Sequence, residues 1–477
     1  MRSFVRLGRR ALGLLTLTAL SAVTSACSGD SGAASSPAAA GYHLGAGFLR
    51  DPAGRALILR GINIPNDYDQ RGPEKEVRPP AEVFRHIADS GFDAVRLVIE
   101  WYQVEAERGV YDEDYLELVR QHVEWADQAG LYVFVDMHQD MFGRGFGGDG
   151  APPWACDASY YESYEPLPSF FFNYFAPEVR ACFQSFWTTP ALRQAQQDVA
   201  RAVAERIAGY ERVLGFDPVN EPSFGTAALS TFERDLLMPF HDEFASRVGE
   251  VLPGRAYFFE PTPMFSFLGA TSFAEPVTAF TGVFAPHYYN VSVELAKRWD
   301  GNTRQVKEVV GAAADTAARL GVPWVYGEMG GDKATPNLGD YLLALYSELD
   351  ARMAGSFLWL YEKGESGFGL IDTATNDWTP HARAFLRPAP AAVAGTPLSF
   401  TWTPSARHFR MTWDADPAAG ETEIVLPAWV AAAGFDASLD GRPITPTRNA
   451  AGNRLVLARQ ARGQHLFELV TLGDYPG

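Results

Sequence analysis

The chain has 477 residues, 47% of them hydrophobic, 13% aromatic and 21% charged, which suits a large domain plus a smaller one and excludes an intrinsically disordered protein. A mean hydropathy of −0.12 excludes a multi-span membrane protein. Its 40 basic residues face 58 acidic ones, a net charge of −18 that argues against a nucleic-acid partner, because phosphate binding needs basic surface, and reads as plain solubility.

At the N-terminus Arg2, Arg6, Arg9 and Arg10 precede an apolar run, Ala11 to Val23, too short for a stable membrane span. Residues 1–26 are expected to be a signal peptide, whose removal makes the chain four charges more negative. The run ends in Val23-Thr24-Ser25-Ala26-Cys27, and a Ser/Ala/Gly-rich stretch makes 27–41 a flexible tether. This junction resembles a bacterial lipoprotein signal in which Cys27 becomes the lipidated first residue; Thr24 departs from the usual aliphatic residue, and plain cleavage after Ala26 is the alternative. The protein is expected to be secreted or in the outer cell envelope, anchored through Cys27. The other two cysteines, Cys156 and Cys182, are an even pair in an oxidising compartment and are expected to form a disulfide, with two free buried thiols as the alternative. No cysteine–histidine cluster has metal-ligand spacing, and no metal or cofactor is expected.

From residue 42 to 388 the chain repeats a β-rich run, a polar turn and an amphipathic segment. Strands are expected at 56–63, 93–101, 132–140, 213–221, 256–262, 281–290, 323–329 and 355–362. Several, such as Val95-Arg96-Leu97-Val98-Ile99, are near-continuously apolar, as strands buried on both faces of a parallel sheet must be. Helices are expected at 80–90, 114–129, 190–210, 231–251, 303–320 and 338–353. In the second, Leu116, Val119, Val123 and Ala126 form one apolar stripe. Eight such units predict an α/β fold, a (β/α)8 TIM barrel; a doubly wound open sheet is the runner-up, disfavoured by the count and by the lack of GxGxxG. Met141 to Thr188 is an unusually long connection, rich in aromatic residues and opening on a glycine run without P-loop spacing. Pro388, Pro390, Gly395 and Pro397 mark a linker, and residues 397–477 alternate in polarity, predicting a C-terminal β-sandwich.

Barrel strands converge at their carboxyl ends, and here nearly every one ends on a polar or aromatic candidate: Asn63, Arg96, His138 with Asp140, Asn220 with Glu221, Glu260, His287 with Tyr289, Glu328 and Trp359. Glu221 and Glu328 end strands four and seven, which face each other across the mouth. Paired carboxylates suit glycoside hydrolysis, with Glu221 as acid/base and Glu328 as nucleophile. Arg96 and Tyr289 are expected to hold Glu328 ionised, Asn220 to reach the sugar 2-hydroxyl, and His287 to orient the acid. Trp359 would stack on a sugar ring, with His138 and Asp140 contacting its hydroxyls.

The ordered set Arg96, His138, Asn220-Glu221-Pro222, His287-Tyr288-Tyr289, Gly327-Glu328 and Trp359 resembles glycoside hydrolase family 5. Asp136-Met137-His138-Gln139-Asp140 followed by Gly147-Gly148-Asp149-Gly150-Ala151-Pro152 and Trp154 is similar to its endoglycoceramidase subfamily. The resemblance implies a retaining hydrolase that cleaves the β-glycosidic bond between glycan and ceramide, acting on glycosphingolipid at membranes or micelles. Relatives acting on glucosylceramide-linked glycans tend to carry a lysine soon after the strand-one motif; here Arg60-Gly61-Ile62-Asn63 is followed by Pro65, Asn66 and Asp67, with Lys75 only later, which leaves glucose and galactose both open as the first sugar. An exo-acting glycosylceramidase or steryl β-glucosidase and an endo-β-glucanase or mannanase are the enzymatic alternatives. A surface glycan-binding lipoprotein is the non-enzymatic one, opposed by the intact carboxylate pair. Phe171 and Phe172 in the long connection, and Phe265 and Phe267 after strand five, are expected to line a lipid groove on the leaving-group side, against the alternative that they cover the barrel top.

Overall fold

The computed structural model describes residues 41–474 except 66–80, 169, 363–366, 373, 374 and 376. The expected signal peptide, Cys27, all of the tether but residue 41, and the segment with Lys75 lie outside these residues. Ala94–Glu100 and Tyr132–His138 are buried at every position, as strands covered on both faces require. They belong to a parallel sheet running Arg60–Pro65, Ala94–Glu100, Tyr132–His138, Val213–Asp217, Ala256–Phe259, Thr281–Phe284, then His287–Tyr288, Val325–Gly330, Gly355–Trp359 and back to Arg60–Pro65. The sixth run is broken at Ala285-Pro286, where proline has no N–H for the ladder. Its first half pairs with the fifth strand and its second with the seventh, so the ring closes as a (β/α)8 barrel.

Helices Ala81–Asp89, Glu113–Gln128, Pro190–Ile207, Thr303–Leu320 and Leu338–Ala351, with the helical stretch 229–249, cover the outside. Asp112 caps the second of them by accepting the Tyr115 N–H, with Glu113 and Asp114 in its positive first turn. Inside the barrel the floor is apolar: Phe134 stacks on Phe258 at 4.0 Å and meets Phe357 edge-on at 4.8 Å. A Cβ on Gly61 would lie 2.1 Å from the Phe357 ring, so glycine is required there. Directly above this floor the interior turns polar, with the Arg96 guanidinium 6.0 Å over the Phe134 ring.

The connection from Met141 to Thr188 is more ordered than its composition suggests. It contains helices Ala158–Ser163, Phe170–Asn173 and Pro177–Thr188, and a disulfide joins Cys156 to Cys182 with their Cα atoms 5.4 Å apart. Asp140 and Asp149 exchange backbone hydrogen bonds of 3.0 and 3.2 Å, which folds the glycine run back over the end of strand three.

The β-sandwich is larger than expected, and the expected linker is strand. Ala389–Val393 is buried and pairs with both Ala56–Leu57 and Thr422–Val425. It lies in a sheet that also holds His43–Gly45, Phe48–Arg50, Arg454–Leu457 and Thr447–Arg448. The short strands preceding the barrel thus belong to the C-terminal layer. The second sheet is Gly395–Thr403, His408–Ala415, Gly463–Thr471, Phe435–Leu439 and Arg442–Ile444. The prolines that suggested a linker sit at irregularities instead: the pairing register shifts between Pro390 and Ala392 and between Pro397 and Ser399, which lets proline stand within a strand. Asn453 and Arg454 donate to the carbonyls of Ala129 and Gly130 (3.0 and 2.5 Å), seating this layer on the end of a barrel helix.

Candidate active site

Arg96 is fully buried in the middle of the second strand and organises the mouth. Its Nη1 donates to Glu328 Oε1 (2.7 Å) and Asn63 Oδ1 (3.0 Å). Its Nη2 donates to Asp217 (2.8 Å), Asn220 Oδ1 (2.9 Å) and Glu260 (3.0 Å), and lies 3.0 Å from Asp136. Burial works against the charge, but Asp136, Asp217, Glu328 and Glu260 outweigh it and hold the guanidinium well above its usual value. One cation in the second strand thus ties together five other strands.

Glu328 ends strand seven with its carboxylate clamped at both oxygens, Oε1 by Arg96 and Oε2 by the Tyr289 hydroxyl (2.8 Å). Burial pushes its pKa up, and the nearby His287 and Arg96 charges oppose that without cancelling it. The expectation that Arg96 and Tyr289 simply hold it ionised therefore omits desolvation. Glu221 lies in the left-handed region, φ +40°, a strained conformation for a non-glycine residue. Its surroundings hold it there: its N–H donates to Glu260 Oε2 (3.0 Å), and Gln139 Nε2 donates to the carbonyls of Asn220 and Glu221 (2.7 and 3.0 Å).

His287 stands between the acids, its Nδ1 3.0 Å from Glu221 Oε1 and 3.5 Å from Glu328, its Nε2 2.9 Å from Glu260. Burial alone would lower its pKa, but Glu260, Glu328 and Glu221 raise it well above the ordinary value. The His138 pKa is raised in the same way, against its burial, by Asp136 (2.7 Å) and Asp140 (3.6 Å). Oxygen atoms of Glu221 and Glu328 lie within 4.8 Å of each other.

Trp359 stacks on His138, ring centroids 5.4 Å apart and 13° from parallel, and keeps part of its surface open. Asp140 accepts the Tyr174 hydroxyl (2.6 Å) and remains partly exposed. Asn220 is more committed than the sequence suggests: Oδ1 accepts from Arg96 and Nδ2 donates to the Gln139 carbonyl (3.0 Å), which leaves one amide hydrogen for a ligand. Asp136, Asp217, Gln139 and Tyr174 were not singled out by sequence as parts of the site, and Glu260 only as a strand end. The signal for the carboxylates was Arg96 itself, since a guanidinium inside a barrel needs counter-charges.

The four phenylalanines separate. Phe171 and Phe267 touch at 4.9 Å, and Phe172 is exposed beside them. Phe265 is a correction: it is 1% exposed and packs edge-on against Phe284, turned inward by the short helix Phe265–Leu268, so it belongs to the core. Phe170, Phe175 and Leu268 extend the exposed patch. Phe224, three residues after Glu221 in the sequence, lies 6.4 Å from Phe175.

The family described as Cellulase (glycosyl hydrolase family 5) matches residues 51–365, and the Glycoside hydrolase family 5 C-terminal domain matches residues 387–468. Endoglycoceramidase I of Rhodococcus hoagii (strain 103S) is 27% identical over 432 residues, covering 86% of this chain and 83% of the relative. The ganglioside GM3 complex of endo-glycoceramidase II from Rhodococcus sp. superposes with a TM-score of 0.79 at 27% identity, over 89% of this chain and 99% of that one. A lactosyl-enzyme intermediate of the same Rhodococcus protein superposes with a TM-score of 0.77 at 27% identity, over 89% of this chain and all of that one.

Proposed function

The chain belongs to glycosyl hydrolase family 5, and from that premise we propose that it is a retaining glycosidase that cleaves the β-linkage between a glycan and ceramide, with Glu328 as nucleophile and Glu221 as acid/base. The observation that carries the mechanism is the approach of the two carboxylates to within 4.8 Å, since retaining enzymes hold theirs about 5 Å apart and inverting ones leave room for a water between. The lactosyl-enzyme intermediate of the Rhodococcus relative supports the same course.

In this mechanism Glu328 attacks the anomeric carbon and forms a glycosyl ester while the bond to the leaving oxygen breaks. Arg96 and Tyr289 orient the attacking carboxylate and are positioned before the reaction starts. Glu221 gives its proton to the departing oxygen of ceramide. His287 Nδ1 lies 3.0 Å from Glu221 Oε1 and orients the acid. In the second half the Glu221 carboxylate takes a proton from water, whose oxygen attacks the anomeric carbon, breaking its bond to Glu328 and releasing the sugar with its configuration unchanged. Trp359, His138, Asp140 and the free Asn220 hydrogen receive the sugar. Phe224, Phe175, Phe171 and Phe267 form a run of neighbouring rings that begins three residues after Glu221 in the sequence, and this run suits the chains of the lipid.

The reading includes a location outside the cytoplasm, secreted or anchored through Cys27, and action at membranes or micelles; the Cys156–Cys182 disulfide suits an oxidising compartment. The substrate is tested by offering purified protein glucosyl-, lactosyl- and galactosylceramides beside cellulose oligomers. Release of free ceramide from at least one glycolipid is expected. Cleavage of cellulose oligomers alone would overturn the glycolipid assignment.

A further inference from the structure

Glu233 is a buried carboxylate that the chemistry above does not use. It begins a π-helical turn, Glu233–Leu237, within the helical stretch 229–249, and the Met238 N–H reaches back to the Glu233 carbonyl. Pro239 follows and has no N–H for the carbonyl four residues back, a defect that the wider turn absorbs. Glu233 Oε1 accepts the Thr262 backbone N–H (2.9 Å). Its Oε2 accepts the Thr271 hydroxyl (2.5 Å), the Ser272 hydroxyl (3.0 Å) and the Ser272 backbone N–H. Ser272 Oγ in turn accepts the N–H of Glu233 (3.2 Å).

One carboxylate thus joins residue 262 to residues 271 and 272, the two ends of a single loop. That loop starts two residues after Glu260, which holds the Glu221 backbone. In its middle Phe265 packs inward, while Phe267 and Leu268 stand outward beside Phe171. Ser266 Oγ donates to the His287 carbonyl (2.7 Å), attaching the loop to strand six.

We propose that Glu233 is a positioning residue for the leaving group: by closing the 262–272 loop it fixes Phe267 and Leu268 where the ceramide chains are taken up. This rests on the glycosylceramide reading. Opening the loop spares the reacting centre, because His287 is also held by its pairing with Glu328 across the sheet.

The test compares wild type, E233Q and the double variant T271V/S272A on a glycosylceramide in micelles and on an aryl glycoside of the same sugar, with amide hydrogen exchange followed in each protein. In E233Q an amide NH2 meets donors in place of an acceptor. The glycosylceramide KM is expected to rise about tenfold, from partial loss of the burial that Phe267 and Leu268 supply. kcat/KM on the aryl glycoside stays within threefold, and exchange quickens across 262–272 while residues 238–249 are unchanged. T271V/S272A removes the donors instead and should show the same split, smaller in size, which keeps the test available if E233Q does not fold. Equal losses on both substrates, or faster exchange with an unchanged glycosylceramide KM, would overturn the proposal. If wild type cleaves no glycosylceramide, the substrate reading falls by itself; the loop closure is then judged on exchange, and unchanged exchange in both variants removes it too.

Discussion

The two sides of Glu221 are built by opposite means. Toward the sugar, Arg96 binds or touches Asn63, Asp136, Asp217, Asn220, Glu260 and Glu328, all buried on barrel strands or at their ends. On the side that the proposed function assigns to the leaving group, Phe171, Phe172, Phe267 and Leu268 stand on short helices between strands and Phe175 in the turn after one of them, with rings in contact with each other. The first side is over-determined, since a displaced carboxylate would leave a buried charge unpaired. The second is held by ring contacts, one carboxylate staple and a disulfide. Under the proposed function, chemistry is thus placed on the rigid scaffold, and recognition of the variable part of the substrate on the connections.

The sharpest break in this comparison is Glu328→Gln, which leaves the fold and substrate binding intact but cannot attack carbon. Turnover should fall by about 10⁴-fold or more on glycolipid and aryl glycoside alike, as for loss of a covalent nucleophile. Glu221→Ala should cost about 10²- to 10⁴-fold on glycolipid, the range for a lost general acid. The loss should be smaller on an aryl glycoside with a good leaving group, and azide should restore rate as a glycosyl azide of retained configuration.

Within the aromatic side the comparison divides further. Phe265→Ala should lower stability by about 3–5 kcal/mol in a denaturant titration, because it empties a core position. Reducing the disulfide, or Cys156→Ser with Cys182→Ser, opens a loop of 25 intervening residues and should cost about 3 kcal/mol on the chain-entropy account, measured the same way. The smallest effect is the most specific: Phe171→Ser with Phe267→Ser should leave stability nearly unchanged and raise the glycosylceramide KM by about tenfold. That difference should shrink on substrates with shortened acyl chains. Equal losses on an aryl glycoside would make these rings structural.

What could be read from the sequence follows the same division. The strands were legible because burial on both faces writes itself as unbroken apolar runs, and Glu221 and Glu328 because a charged residue ending such a run is conspicuous. The network behind them was harder to see. Asp136 and Asp217 look like ordinary acids until Arg96 is placed within reach of both. Phe265 and Phe267 carry the same side chain two positions apart, and only the helical turn sends one inward and the other out. The strands at 43–45 and 48–50 have too few residues for any period to show, residues 56–57 read as the start of the first barrel strand although they pair in the other sheet, and Pro390 and Pro397 concealed two longer strands behind bulges.

The most direct test of the central claim is to trap the enzyme on a slowly turning-over activated glycoside, digest it and locate the added sugar by mass spectrometry. The account predicts one glycosyl group on the peptide containing Glu328, in wild type and in greater yield in Glu221→Ala, with released sugar of retained configuration. A sugar on any other residue, or product of inverted configuration with no adduct, would contradict it.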